Sequence, residues 1–554
     1  MMSEGINMSE LYPEVVKSII CQDTQVQQLV YLYLMHYAEF KPQEALLSVN
    51  TLQMHLKSSD AAIRAQALRV LTSIRLPLIV QLQILAVENT IRDSSNYVRK
   101  LAMHALAKIH LLAPHKLKIL IPFLEIGLAD KDLFVRSSAV ATFLEIVPAR
   151  WDLIHPHFNL YCSRLLEMDD WGKATMLRLL TPYVRLNFAN PHEESTNASS
   201  DSAFDMFLPP SGAKKGVSRP QDTLELLWKI IPRLLRSMCA AVVEGAASFL
   251  YYCGNSLQQQ QAVIPMIRLV RDDRTSLMAL KTISVLSKRY PSIWGRQVSA
   301  FYLLSTDLVE SSLLKLEILS TILTESTKDS VLREFEFVLT NSGKFSPQIV
   351  AGCIQSAGRC MQASVEVSNR MMPVVLRLLF QKNEDIVSEC VIQIKNLVQR
   401  DASRAPFVMK HVLKMDWMHL PSDARSCIVW MMGEYSDSLN GQGPDLLRQL
   451  LRGFSQEPHE IRKQILNFSL KLQLRVGSQV PEVPLMFQYA CKLGNFDTSF
   501  DLRDRARLLH ALFLSGSCPT LSAESALLFL REKPLPEVVN VQGEFGHRKG
   551  VRSG

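Results

Sequence analysis

Residues 60–75 read DAAIRAQALRVLTSIR, and the spacing of their apolar side chains decides the fold. Ile63, Ala67, Val70, Leu71 and Ile74 stand at offsets 0, +4, +7, +8 and +11. At about 3.6 residues per turn, all five fall on one face of an α-helix. Arg64, Gln66 and Arg69 fall on the others, and Asp60 occupies the N-cap position, where its carboxylate can accept from the open N–H groups of the first turn. The pattern returns as Val98, Ala102, Ala105, Leu106 and Ile109, and again as Val135, Ala139, Thr142, Phe143 and Ile146. An arginine follows the first apolar residue each time (Arg64, Arg99, Arg136), in steps of 35 and 37 residues. Lying off the stripe, it is expected to pair at the surface or across a hairpin.

A helix-sized amphipathic block in every period of this length is the mark of a solenoid. Second apolar helices fit between the blocks, at residues 43–57, 76–91 and 114–129. One such hairpin cannot bury both its apolar faces, whereas stacked hairpins bury a continuous core. The fold expected is all-α, a HEAT/armadillo-like α-solenoid wound as a right-handed superhelix. Its core is expected to rest on Ile63, Ala67, Leu71, Val98, Ala102, Leu106, Val135, Ala139 and Phe143.

Of the 554 residues, 47% are hydrophobic and 21% charged, so most of the chain should fold, and its length suits an extended array better than one compact core. A net charge of +8 is mild and evenly spread. It fits an anionic membrane surface or acidic partners, and lacks the concentrated basic face that nucleic-acid binding requires. The 10 cysteines form no CxxC pair. Cys353 and Cys360, seven apart on one helical face, read as buried thiols of a reducing compartment. No apolar run has membrane-spanning length, since residues 76–87 are interrupted by Gln81 and Gln83, and residues 1–10 have no signal-peptide core. A cytoplasmic protein with peripheral membrane contact is expected, in which the Asn197 sequon is incidental.

Four segments follow: helical repeats over residues 1–189, a disordered insert over 190–222, further helical repeats over 223–514, and a mostly disordered tail over 515–554. The first segment opens with a stripe of Val26, Leu29, Val30, Tyr33 and Tyr37. It ends in a less regular stretch, residues 151–188, where Pro182 is expected to bend or end a helix. The insert is rich in Ser, Asn, Gly and Pro and carries a small apolar island at residues 204–208. Beyond it the stripe resumes as Val243, Ala247, Leu250 and Tyr251, and as Ile461, Ile465, Phe468 and Leu472.

No catalytic, cofactor or metal constellation emerges. There is no Gly-rich phosphate loop, HExxH or GxSxG, and His104 and His110 lie six apart, a spacing that does not pair them on a metal. His155 and His157 flank Pro156 in what reads as a turn. Asp169, Asp170, Asp272 and Asp273 read as helix-start acids. Arg503, Arg505 and Arg507, beside Asp501 and Asp504, read as ion-paired surface residues. An enzyme is not indicated.

Several stretches together resemble the trunk of the beta-adaptins: SELYPEVVK (9–17), LVYLYLMHYAE (29–39), IRAQALRVLTSIRLP (63–77) and YVRKLAMHALAKI (97–109). Further on come WGKATMLRLLTPYVR (171–185), FYLLSTDLVESSLLKLEIL (301–319), VLREFEFVL (331–339), AGCIQSAGRC (351–360) and LGNFDTSFDLRDRARLL (493–509). The set is more similar to the beta-adaptins of the third adaptor-protein complex than to those of the first two, from about residue 9 to about residue 537. The resemblance implies a large subunit of a heterotetrameric vesicle-coat adaptor, with medium, small and delta-type subunits as partners. It implies recruitment by an Arf-family GTPase to Golgi, endosomal and coated-vesicle membranes, and sorting towards lysosomes and related organelles. The chain is expected to lack the family's first helices, its acidic hinge and its C-terminal ear. No Leu-Leu-x-Leu-Asp clathrin box occurs, so capture of clathrin by this chain alone is not expected. The alternative is another solenoid scaffold, a coatomer subunit or a nuclear transport receptor, which would explain the repeats but not these ordered motifs.

Overall fold

The computed structural model describes residues 7–21, 23–188, 220–439, 441–514, 519–531 and 533–535. Every regular element among them is helical. The expected insert lies outside the described residues except at its end, where helix Pro220–Leu234 begins three residues ahead of the sequence boundary. The expected tail is likewise mostly outside them, but it contains helix Pro519–Leu530, which the sequence reading did not anticipate.

The chain divides into two compact units, Met1–Leu269 and Val270–Gly554. In the first, the hairpins are Pro42–His55 with Ala61–Ser73, Val80–Thr90 with Asn96–Leu112, and Leu117–Leu128 with Leu133–Ile146. Their second helices pack side by side, and the layer continues through Asp170–Asn187 to Ala240–Cys253. In the second unit, a similar layer runs through Ser276–Arg289, Val309–Thr321, Pro347–Ala363, Glu384–Arg400, Ser422–Glu434 and His459–Val476.

The sequence stripe supplies the core of the first unit. Ala67, Leu71, Val98, Ala102, Leu106, Val135, Ala139 and Phe143 are all fully buried, while Ile63, at the edge of the layer, is only partly covered. Helix Leu133–Ile146 is buried well beyond its stripe, because neighbours flank it on both sides. Ser137, Ser138 and Val140 are also inside, and Thr142 Oγ1 donates to the Met103 carbonyl across the interface at 2.9 Å. Small side chains permit this approach. At Gly127, an added Cβ would lie 2.1 Å from the sulfur of Met103 and 3.2 Å from the Cβ of Ala139.

Three local expectations change. In helix Thr24–Tyr37 the buried residues are Gln27, Val30, Tyr31, Leu34 and Tyr37, whereas Val26 and Leu29 face outward. Tyr31 turns inward because its hydroxyl reaches His55 Nδ1 at 2.9 Å on the next helix. Helix Asp170–Asn187 runs through Pro182. The carbonyl that Pro182 leaves without a helical donor belongs to Arg178, an exposed residue whose backbone water can reach. Arg136 is buried, and its Nε donates to the Asp130 carbonyl at the start of its own loop.

Val135→Asp should therefore cost several kcal/mol, on the order expected for an unpaired carboxylate in an apolar interface. Phe143→Ala should cost roughly 3–5 kcal/mol through its cavity. Urea unfolding of the full chain would register both; a Val135→Asp midpoint matching that of the parent would show that the second-helix layer is wrongly assigned.

Candidate partner-binding surfaces

The loops between hairpin helices are held by a repeating polar device. Arg64 donates from Nη1 to the carbonyls of Ser58 and Ser59 in its own loop, and from Nε and Nη2 to both carboxylate oxygens of Asp93, each at 2.8 Å, in the loop of the next repeat. Arg99 repeats this: Nη1 binds the carbonyls of Asp93 and Ser94, and Nε and Nη2 clasp Asp130 at 2.8 and 3.1 Å. Each aspartate also accepts from a backbone N–H two residues on, that of Ser95 or Asp132. In the second unit, Arg462 pairs with Asp497, which accepts from the Ser499 N–H, and Arg503 binds the Asp497 carbonyl. The sequence analysis found the arginine but not its partner. The missed signal is an acid six residues before the next arginine: Asp93 before Arg99, Asp130 before Arg136, Asp497 before Arg503.

Burial alone would raise the carboxyl pKa of Asp93 and of Asp130. The hydrogen bonds and charge of Arg64 and Arg99, with the backbone donors, outweigh it and leave both below the usual carboxylate range. The remaining titratable groups singled out in the sequence have structural surroundings. Burial pushes both thiols up, that of Cys360 to about 12 and that of Cys353 well above its ordinary value. His155 bonds the Tyr183 hydroxyl at 2.7 Å from a 3₁₀ turn, Asp169 caps helix Asp170–Asn187, and Asp170 pairs with Lys173. Arg507 pairs with Asp504, but Asp501 pairs with Lys463. Residues 313–317 (LLKLE) come nearest to the clathrin-box form, yet they are helical and Leu316 is fully buried. Among the described residues no group of His, Cys, Asp and Glu could hold a metal, and no helix is long and apolar enough to cross a membrane.

Two surfaces remain. In the first unit, Tyr97, Phe134 and Trp171 occupy the second position of three successive second helices. Tyr97 and Trp171 are 45% and 44% exposed. The Lys100 ammonium lies 3.6 Å from the Phe134 ring centre and 5.5 Å from that of Trp171, and His104 meets Trp171 edge-on at 5.8 Å. A cavity of about 560 Å³ opens beside Phe134, lined also by Leu133, Met168, Arg99 and Lys131. In the second unit, helix Pro519–Leu530 lies against His459–Val476 and Phe500–Phe513, and Gln399 Nε2 donates to the Pro534 carbonyl at 2.6 Å. Cavities of about 510 and 410 Å³ flank this segment, and Trp430 and Lys533 line both. Lys471, at the rim of the larger, is buried against Glu434. Burial lowers its pKa despite that partner.

Stacked helical hairpins whose second helices pack in one layer define a HEAT-type α-solenoid. The chain belongs to the adaptin family, matching the adaptin N-terminal region over residues 1–517. It is 33% identical over 558 residues to the mouse AP-3 complex subunit beta-2, covering 97% of this chain and 51% of that protein. It is 34% identical over 545 residues to the human AP-3 complex subunit beta-1, covering 97% and 49%. The chain thus spans about half the length of the curated relatives it matches. Its fold is similar to that of a chain in a homology model of the full-length AP-3 complex, with TM-score 0.59, 26% identity, and coverage of 93% of this chain and 88% of the other.

Arg99→Ala would strand the Asp130 carboxylate and open one loop, at roughly 3 kcal/mol. Arg150→Ala, at an exposed pair with Asp152, should leave the urea midpoint unchanged. Because the native pKa values of Asp93 and Asp130 are depressed, their contribution is complete above about pH 4–5 and is lost as pH falls through the native values. The Arg99→Ala deficit should therefore shrink in acid; a deficit constant from pH 7 to pH 3 would contradict this assignment.

Proposed function

We propose that this chain acts as the beta-type large subunit of a heterotetrameric adaptor-protein complex of the third class, scaffolding a vesicle coat. The observation that carries the reading is the extent of the adaptin match, residues 1–517, together with relatives named as beta subunits of the AP-3 complex over 97% of the chain. A stacked-hairpin body suits the role physically, since it offers long helix faces and loop edges to several partners at once. The partners on this reading are a medium, a small and a delta-type subunit, and an Arf-family GTPase at the membrane. The site of action is the cytoplasmic face of Golgi, endosomal and coated-vesicle membranes, with cargo directed towards lysosomes and related organelles. The role is non-enzymatic.

The medium subunit is assigned to the second unit, which carries the cavities beside helix Pro519–Leu530. Co-expression of the tagged chain with medium, small and delta-type subunits should give one co-eluting complex, more soluble than the chain alone. Failure of a folded chain, verified by circular dichroism, to retain the medium subunit would refute the assignment. Retention of a Ran-type GTPase instead would favour a transport receptor.

A further inference from the structure

The larger of the two cavities beside helix Pro519–Leu530, of about 510 Å³, is lined by cations from three chain segments. Lys463 and Lys471 come from helix His459–Val476, Arg505 from helix Phe500–Phe513, and Lys533 from the segment after helix Pro519–Leu530. Lys463, Gln464, Asn467 and Lys471 recur at helical spacing, so they form one continuous polar wall. Ser525 adds a hydroxyl. Among the described residues no carboxylate lines the cavity.

The present partner of each cation decides how much of that charge is left. Lys463 pairs with Asp501 at 2.7 Å, but Asp501 is 61% exposed, and a pair so open to water is weak. The charge of Arg505 acts on the same Asp501, so one carboxylate serves both cations. Arg505 itself makes no ion pair or hydrogen bond among the described residues. Lys471 is buried against Glu434, which lines the neighbouring cavity instead. Lys533 Nζ donates only to a neutral group, the Phe529 carbonyl, at 3.0 Å. Two carboxylates thus stand against four cations, and two positive charges are left over. Lys471 registers the excess: burial first, and then the nearby Lys533 and Arg475, lower its pKa against the opposing pull of Glu434.

This remainder selects among anions. A phosphate monoester carries about −1.5 to −2 charges at pH 7 and offers three terminal acceptor oxygens, which matches both the residual charge and donors arriving from separate segments. A carboxylate offers about half that charge, and its two oxygens lie in one plane, the geometry that a single guanidinium satisfies. Much of the remaining lining is apolar, with Trp430, Leu508, Leu512 and Phe529, and suits the organic body that carries the phosphate.

We propose that this cavity binds a phosphate monoester, the phosphate held by Arg505 and Lys533 within reach of Lys463, and the organic body against Trp430 and Leu508. The inference goes beyond the adaptor reading and does not rest on it. A soluble ester and a lipid headgroup share this chemistry, and two probes separate them. Calorimetric titration of the full chain with phenyl phosphate should show saturable binding, about 5-fold tighter than that of phenyl sulfate, which carries one charge fewer. Arg505→Gln should weaken it about 10-fold and Lys533→Gln about 3-fold, as expected for loss of one charge-assisted hydrogen bond. Arg507→Gln, at an exposed pair with Asp504 on the same helix, should change nothing. The second probe is a phosphatidylcholine vesicle containing one-fifth phosphatidic acid, whose headgroup is a phosphate monoester. Binding of phenyl phosphate without vesicle co-flotation assigns a soluble ester, and co-flotation that Arg505→Gln abolishes assigns a lipid headgroup. The proposal is overturned by the absence of both, by equal binding of phenyl sulfate, or by equal losses from Arg505→Gln and Arg507→Gln in protein shown to be folded by circular dichroism.

Discussion

A helical hairpin with two apolar faces has nowhere to place the second one except against another hairpin, and the molecule's other features depend on that constraint. It explains why helix Leu133–Ile146, between Asn96–Leu112 and Asp170–Asn187, buries nine of its fourteen residues, serines and an arginine among them. Close stacking then demands small side chains at the contact. Gly127 against Met103 and Gly245 against Leu177 are places where an added methyl would press on a neighbour. The same constraint confines side chains free to bind partners to helix ends, loop edges and the exposed sides of each layer.

Stacking by apolar contact alone would leave the loops between helices loosely determined, and the arginine–aspartate clasps supply the missing register. Arg64 and Arg99 each tie two loop carbonyls of their own repeat to a carboxylate of the next, so that each pair of loops is held in one register. Such half-buried pairs add modest net stability over apolar alternatives, but they are costly to break, because the surviving partner stays desolvated. Arg425 with Glu457 and Lys471 with Glu434 show the second unit linking successive helices in the same manner with different residues. The exposed pairs Arg448–Glu482 and Arg150–Asp152 are of another kind, screened by solvent and with little bearing on register.

The stripe beginning at Ile63 was legible because burial in stacked helices follows helical period, and the recurring arginine was visible because it keeps a fixed place on that stripe. Its partner was not, since Asp93 and Asp130 lie in irregular loops where periodicity has no meaning. The outward turn of Val26 and Leu29 was hidden for a related reason. Period identifies an apolar face, but when a helix has apolar residues on more than one side, the neighbour that covers it decides between them, and here Tyr31 and His55 do so. Helix Pro519–Leu530 escaped notice because its apolar residues do not form one stripe: Leu527 and Leu528 are exposed while Phe529 and Leu530 are partly covered. The aromatic row was overlooked because it consists of three residues whose helix positions match only once the caps are known.

These gaps share a physical origin that bears on where function resides in a repeat scaffold. The residues that sequence period reveals are those the fold consumes, and once buried they have no surface left for a partner. The informative remainder comprises residues that recur without being needed for packing, as the second-position rings do, or that interrupt the pattern, as the segment after residue 518 does. In the first unit the remainder includes the exposed rings of Tyr97 and Trp171 and the Lys100 ammonium over Phe134. In the second it is two cavities that share Trp430 and Lys533 in their walls and lie beside helix Pro519–Leu530.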